Sequence, residues 1–297
     1  VVGDIEPISV TLVCVSRLTY DDDLFLRMEC VLDVPVVNQI VWRFDEPVAR
    51  ESLHAMWENL RDGPINRTVE RVRFPGARDS WTRASTSLPL DLDARVLGSS
   101  ELAGWMEKRA AVRLDPENGP VWQLAYADTD GGGSVVSLVA SHVVGDGGAL
   151  TSAAIAAVRG PGDPEDFRSA WDAPTHRDIS DAAGQIGAAA LGTVRALGRG
   201  ARNALTRSTK DEPRANPPIA VPNPTRFGEF APSTVVVDCP TEQWTAAAAS
   251  VGGSGNSLLV AVAMGVLTAS GRVHESDTVK VSLPVSTRVA GDVRANA

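Results

Sequence analysis

His142 and Asp146, four residues apart and followed at once by Gly147 and Gly148, are the residues of this sequence best suited to do chemistry. An imidazole has an ordinary pKa of about 6.5, so it takes up and returns a proton near neutrality. A general base held in the right place contributes roughly 10²–10⁴ in rate. Glycine at 147 has no Cβ and lets backbone come close to a reacting centre. A plainer reading stands beside this one: a half-buried histidine donating to a backbone carbonyl, next to an aspartate that caps a helix.

The flanking residues indicate how such a group is held. Residues 134–150 read SVVSLVASHVVGDGGAL. Val135, Val136, Leu138 and Val139 form a short apolar, β-branched run that predicts a buried strand, with His142 at its end. Ala149 to Val158 predicts a buried helix. Just upstream, Val121 to Ala127 predicts a strand, and the glycine-rich DTDGGG turn returns it as a hairpin partner. A strand follows that turn where a dinucleotide-binding fold would place a helix, which excludes a Rossmann fingerprint.

Strands and helices alternate through the rest of the first half. Residues 20–32 predict a short helix capped by aspartate, and Val36 to Phe44 a strand. Pro47 opens a helix whose Leu53, Met56, Trp57 and Leu60 form one apolar stripe, ended by Gly63 and Pro64. Residues 66–84 predict two short strands about a Pro-Gly turn, and Ser100 to Val112 a helix carrying Trp105 and Arg109. The expected fold class is α/β, a two-layer sandwich of two lobes. Residues 1–175 make the first lobe, 176–233 a basic helix and proline-rich linker, and 234–297 the start of a second lobe.

The linker and the second lobe have distinct compositions. Residues 178–208 are rich in Ala and Gly, with Ile179, Ile186, Leu191, Val194 and Leu197 on one broad side. From Ala182 to Lys210 the charged residues are Arg195, Arg199, Arg202, Arg207 and Lys210, all basic. Such a helix suits an anionic membrane or lipid-droplet surface, or a bridge between domains with a solvated basic face. In the second lobe, 234–237 and 278–285 predict strands, 241–250 a helix, and 256–270 a strongly apolar buried helix capped by Asn256. That helix needs more sheet than two strands supply. The lobe therefore reads as truncated, or as completed by a second chain.

Composition narrows the partners. A net charge of −9 argues against nucleic acid. Cys14, Cys30 and Cys239 form no closely spaced pair, which fits a reducing cytoplasm and neither disulfides nor structural zinc. His54, His176 and His274 lack a second ligand at metal spacing. No apolar run approaches bilayer thickness, and the first residues show no signal peptide. The location expected is cytoplasmic, with peripheral membrane contact through the basic helix. The serines of VGGSGNSL (251–258) lack the surroundings of a phosphopantetheine carrier.

SHVVGDG, NSLLVAVAMGVL, PVSTR and Asn296 together resemble the CoA-dependent acyltransferase superfamily, which includes chloramphenicol acetyltransferase and peptide-synthetase condensation domains. The nearest look is to bacterial wax ester synthase/diacylglycerol acyltransferases, which open with a segment similar to DDDLFLRMEC. Many relatives carry two consecutive histidines where this chain has Ser141 before His142.

The resemblance implies two α/β lobes along a tunnel, His142 as general base, acyl-CoA as co-substrate, and no further cofactor or metal. It makes Ser141, Gly148 and Asn296 candidates for contact with substrate. It also implies that Asp146 points away from substrate and pairs with an arginine, Arg67 or Arg288. The leading expectation is fatty acyl transfer from acyl-CoA to a long-chain alcohol or diacylglycerol. Transfer from a carrier-protein thioester to a polyketide, sugar or amine, and a non-catalytic scaffold, are the alternatives.

Overall fold

A computed structural model of the chain describes residues 17–32, 36–160, 175–206, 235–274, 277–283, 285, 287 and 294–296. Cys14 and the first residues, the stretch 161–174, the whole proline-rich linker, Arg207, Lys210 and Arg288 lie outside them, as do the side chains of Arg199 and Arg202. The chain divides into two compact units, one of residues 1–232 with 288–297 and one of residues 233–287. Asn296, expected in the second lobe, thus belongs to the first unit.

The first unit is a mixed α/β structure. Its elements are α1 (Tyr20–Leu32), β1 (Val37–Phe44), α2 (Arg50–Asp62), β2 (Arg67–Glu70), β3 (Ser80–Arg83), β4 (Asp91–Leu97), α3 (Leu102–Ala110), β5 (Trp122–Thr129), β6 (Ser134–Ser141), α4 (Gly147–Arg159) and α5 (Thr175–Thr206). Four strands form one sheet in the order β1-β6-β5-β4, while β2 and β3 form a separate antiparallel ribbon. β6 runs antiparallel to both of its neighbours, and β4 runs parallel to β5.

β6 is buried along its whole length because both faces of the sheet are covered. Strand residues alternate between faces. Val136, Leu138 and Ala140 join Trp122, Leu124 and Tyr126 in the main core with Leu53, Leu60, Leu150 and Ala154 from α2 and α4. Val135 turns the other way, to Ala125, Ala127 and Trp105 of α3. The β5–β6 turn needs its glycines. Gly132 has φ +80°, and a Cβ on Gly133 would lie 2.2 Å from the Phe44 carbonyl oxygen.

β4 is an element that the sequence pattern did not predict. Its Asp91 and Asp93 are paired with Arg109 of α3 at 3.0 and 3.3 Å, and the Arg109 side chain is 8% exposed. The expected helix at Pro47 instead begins at Arg50. The long basic helix forms as α5, and its first turns are tied down by the ion pairs Arg17–Asp178 and Arg78–Asp181. Beyond them Ile186, Val194 and Leu197 are exposed.

The second unit corrects three expectations. It contains α6 (Thr241–Ser250) and α7 (Gly255–Ala269), but 235–237 and 278–283 pair into no strand among the described residues. The apolar α7 has no buried residue, and no strand of its unit forms among the described residues for it to cover. Ser254, whose hydroxyl accepts from the Ser257 N–H at 3.3 Å, caps it in place of Asn256. No single described helix is long and apolar enough to cross a membrane.

Candidate active site

The turn after β6 is pinned carbonyl by carbonyl. β6 ends at Ser141 and α4 starts at Gly147, so residues 142–146 have no ladder of their own to satisfy their polar groups. The His142 N–H donates to the Val36 carbonyl at 2.8 Å. Asn296 Nδ2 donates to the carbonyls of His142 (3.1 Å) and Val143 (3.4 Å). Arg67 donates from Nη2 and Nε to the Val144 carbonyl at 3.0 and 3.3 Å. Asn38 Nδ2 takes the Gly145 carbonyl at 2.9 Å. The Asp146 N–H donates to the Ala295 carbonyl at 2.9 Å, and Asp146 Oδ1 accepts from the Ala149 N–H at 2.7 Å as the cap of α4. Elements from opposite ends of the chain thus fix one five-residue turn.

The imidazole itself is held by packing. The Phe25 ring of α1 stacks on it with centroids 3.8 Å apart and 24° between planes. His142 Nδ1 is buried and has no hydrogen-bond partner among the described residues. Of the plainer reading, the helix-capping aspartate is present, while Nδ1 donates to no carbonyl among the described residues.

The other expected residues divide clearly. Ser141 is buried, its hydroxyl accepting from the Val143 N–H at 3.3 Å and donating to Glu29 Oε2 at 3.4 Å. Asn296 is 4% exposed and also donates to Asp22 Oδ1 at 2.8 Å; its own Oδ1 has no partner among the described residues. Arg67 is 2% exposed and stacks on Trp81, with 4.6 Å from its guanidinium carbon to the ring centre. Gly148 is exposed in the first turn of α4. Arg288 lies outside the described residues.

Gly147 is where the structure changes the argument. A Cβ there would meet no protein atom within 4 Å, so the packing of this chain does not demand glycine. Gly147→Ala is therefore expected to keep the wild-type melting temperature. Any tenfold or greater fall in turnover would then report crowding of a substrate, to be read from melting curves and rates on the same sample.

Asp22, Phe25, Glu29 and Asn38 were not singled out in the sequence. Asn38 lies in β1 beside a second carboxamide, Gln39, so its residue type alone did not mark it out. Among the described residues no group of acidic, His and Cys side chains is arranged to hold a metal ion. His54, His176 and His274 are exposed, and Cys30 and Cys239 are free thiols.

No family model matches the sequence, and no curated protein matches it. Solved structures do. The first condensation domain of the calcium-dependent antibiotic synthetase is 14% identical over 59% of this chain and 44% of its own, with a TM-score of 0.42. The starter condensation domain of rhizomide synthetase is 14% identical over 58% of this chain and 46% of its own, with a TM-score of 0.42. A wax ester synthase/diacylglycerol acyltransferase from Marinobacter aquaeolei is 16% identical over 46% of this chain and 35% of its own, with a TM-score of 0.36. The chain is similar to parts of these structures and spans less than half the length of each.

Proposed function

We propose that this chain carries the base of an acyltransferase, with His142 accepting the proton of an acceptor hydroxyl as that oxygen attacks an acyl thioester. The observation that carries the reading is the half-buried imidazole at a strand end, on a turn fixed at every carbonyl, stacked on Phe25 and bonded to no other side chain among the described residues. A base positioned in this way needs little reorganisation before it acts. The reaction balances without another reactant. The acceptor oxygen bonds to the thioester carbon, its proton passes to the imidazole, the carbon–sulfur bond breaks, and the imidazolium returns the proton to the leaving thiolate.

The donor is read as a fatty acyl-CoA and the acceptor as a long-chain alcohol or diacylglycerol. Exposed Ile186, Val194 and Leu197, with Arg195 on the same helix, support a surface on which α5 meets anionic lipid, where such acceptors reside. The test is a donor comparison: acyl-CoA and acylated carrier protein, each supplied with a long-chain alcohol, with ester measured by mass spectrometry. Ester from acyl-CoA is the expected result. Ester from the acylated carrier alone would overturn the choice of donor, and no ester from either would overturn acyl transfer.

A further inference from the structure

α1 turns one face onto the motif. Asp22, Phe25 and Glu29 are three and four residues apart, on one side of a helix. Each engages the strand end: Asp22 through Asn296 to the His142 carbonyl, Phe25 by stacking on the ring, and Glu29 through the Ser141 hydroxyl. Ser141 Oγ also accepts from the Val143 N–H, so one hydroxyl joins the residues on either side of His142.

We propose that Glu29 is a positioning residue for His142: by holding the Ser141 hydroxyl it seats the second half of α1 on the end of β6 and keeps the Phe25 ring against the imidazole. Only its kinetic consequence rests on the acyltransferase reading.

The surroundings of Glu29 favour its neutral form. Burial pushes its pKa up to about 7, the Ser141 hydrogen bond opposes that rise, and the charge of Asp115 adds to it. Beside Glu29 on α1, Cys30 lies against Glu117 at 3.5 Å, and Glu117 is in turn paired with Arg71 at 2.6 Å. Arg113 faces Asp115, and His142 itself stands next to Ser141. Among the described residues no basic side chain pairs with Glu29.

The sign follows from the raised pKa. An unfolded glutamate ionises near 4.5, so the native state holds more protons between that value and about 7. Stability from the seated, neutral Glu29 is complete below the unfolded value and is lost as pH rises through about 7. One unit above its pKa only about a tenth of the carboxyl is protonated, and the cost of burying the charge, which the Ser141 hydrogen bond offsets only in part, draws the charged form toward water.

The test uses the whole chain and two readouts. The first is the nuclear Overhauser contact between the Phe25 and His142 rings at about pH 6 and about pH 8, spanning the transition expected by linkage. Wild type is expected to lose most of the contact at the higher pH, while Glu29→Gln, neutral throughout, keeps it at both. Glu29→Ala should weaken it at both, and if that variant fails to fold the glutamine variant still decides. A contact that ignores pH in wild type, or a glutamine variant that titrates like wild type, would overturn the proposal.

The second readout is turnover. Wild type should fall by up to about tenfold on the alkaline side, and Glu29→Gln should not. The expected ring contacts without any acyl transfer would leave the positioning role standing and remove the acyltransferase reading. His142-dependent transfer with a pH-independent contact would do the reverse.

Discussion

Arg67→Met is expected to lower stability by about 3 kcal/mol and to reduce turnover with it, the larger structural effect of any change near the site. The guanidinium is almost wholly buried, donates twice to the Val144 carbonyl, and stacks on Trp81. A hydrogen bond from a charged donor contributes about 1.5–3 kcal/mol, and a desolvated cation–π contact about 2 kcal/mol. Methionine keeps much of the volume, so no large cavity opens, but it leaves the carbonyl in the middle of the turn without a donor. For a unit of this size the melting temperature should fall by roughly 6–12 °C. Thermal unfolding of wild type and variant checks this. Arg67→Lys should recover only part of the loss, because an ammonium cannot reproduce the planar fork. An unchanged melting temperature in Arg67→Met would mean that the turn does not depend on this bond.

What the sequence revealed of the fold followed the strength of local pattern. α2 and β6 are dominated by apolar spacing, and both form where that spacing predicts. β4 escaped although Asp91, Asp93 and Arg95 alternate with Leu92, Ala94 and Val96, because aspartate is disfavoured in strands; the two aspartates become compatible with a sheet once Arg109 arrives from α3. Charge that is neutralised by a residue distant in sequence has no local signature. The strands expected near 235 and 280 failed for the opposite reason. Their residues favour β-structure, but a strand needs a neighbour, and among the described residues none is offered.

The site shows the same division. His142 and Asp146 could be singled out because their residue types carry chemistry, and Arg67 only as one of the two arginines that the resemblance offered to Asp146. The helix of residues 20–32 was legible from its pattern, with Thr19 and Asp22 capping each other at its start. That its Asp22, Phe25 and Glu29 would face the motif depends on how α1 docks, which no local pattern encodes. Asn296 was chosen as a candidate for contact with substrate; that its amide braces the turn depends on tertiary placement and has no local signature.

His142→Ala is expected to abolish base catalysis, a loss of roughly 10²–10⁴ in rate. The side chain is half-buried and bonds to no other side chain among the described residues, so its removal takes away only the stacking on Phe25. That stacking contributes about 0.5–1.5 kcal/mol, too little to unfold the first unit. Activity should therefore disappear from a protein that still folds. The most direct measurement is thiol release from a panel of acyl-CoAs with a long-chain alcohol present, wild type beside His142→Ala, with melting curves for both. The account predicts alcohol-dependent release in wild type that vanishes in the folded variant. Equal release from two folded proteins would contradict it.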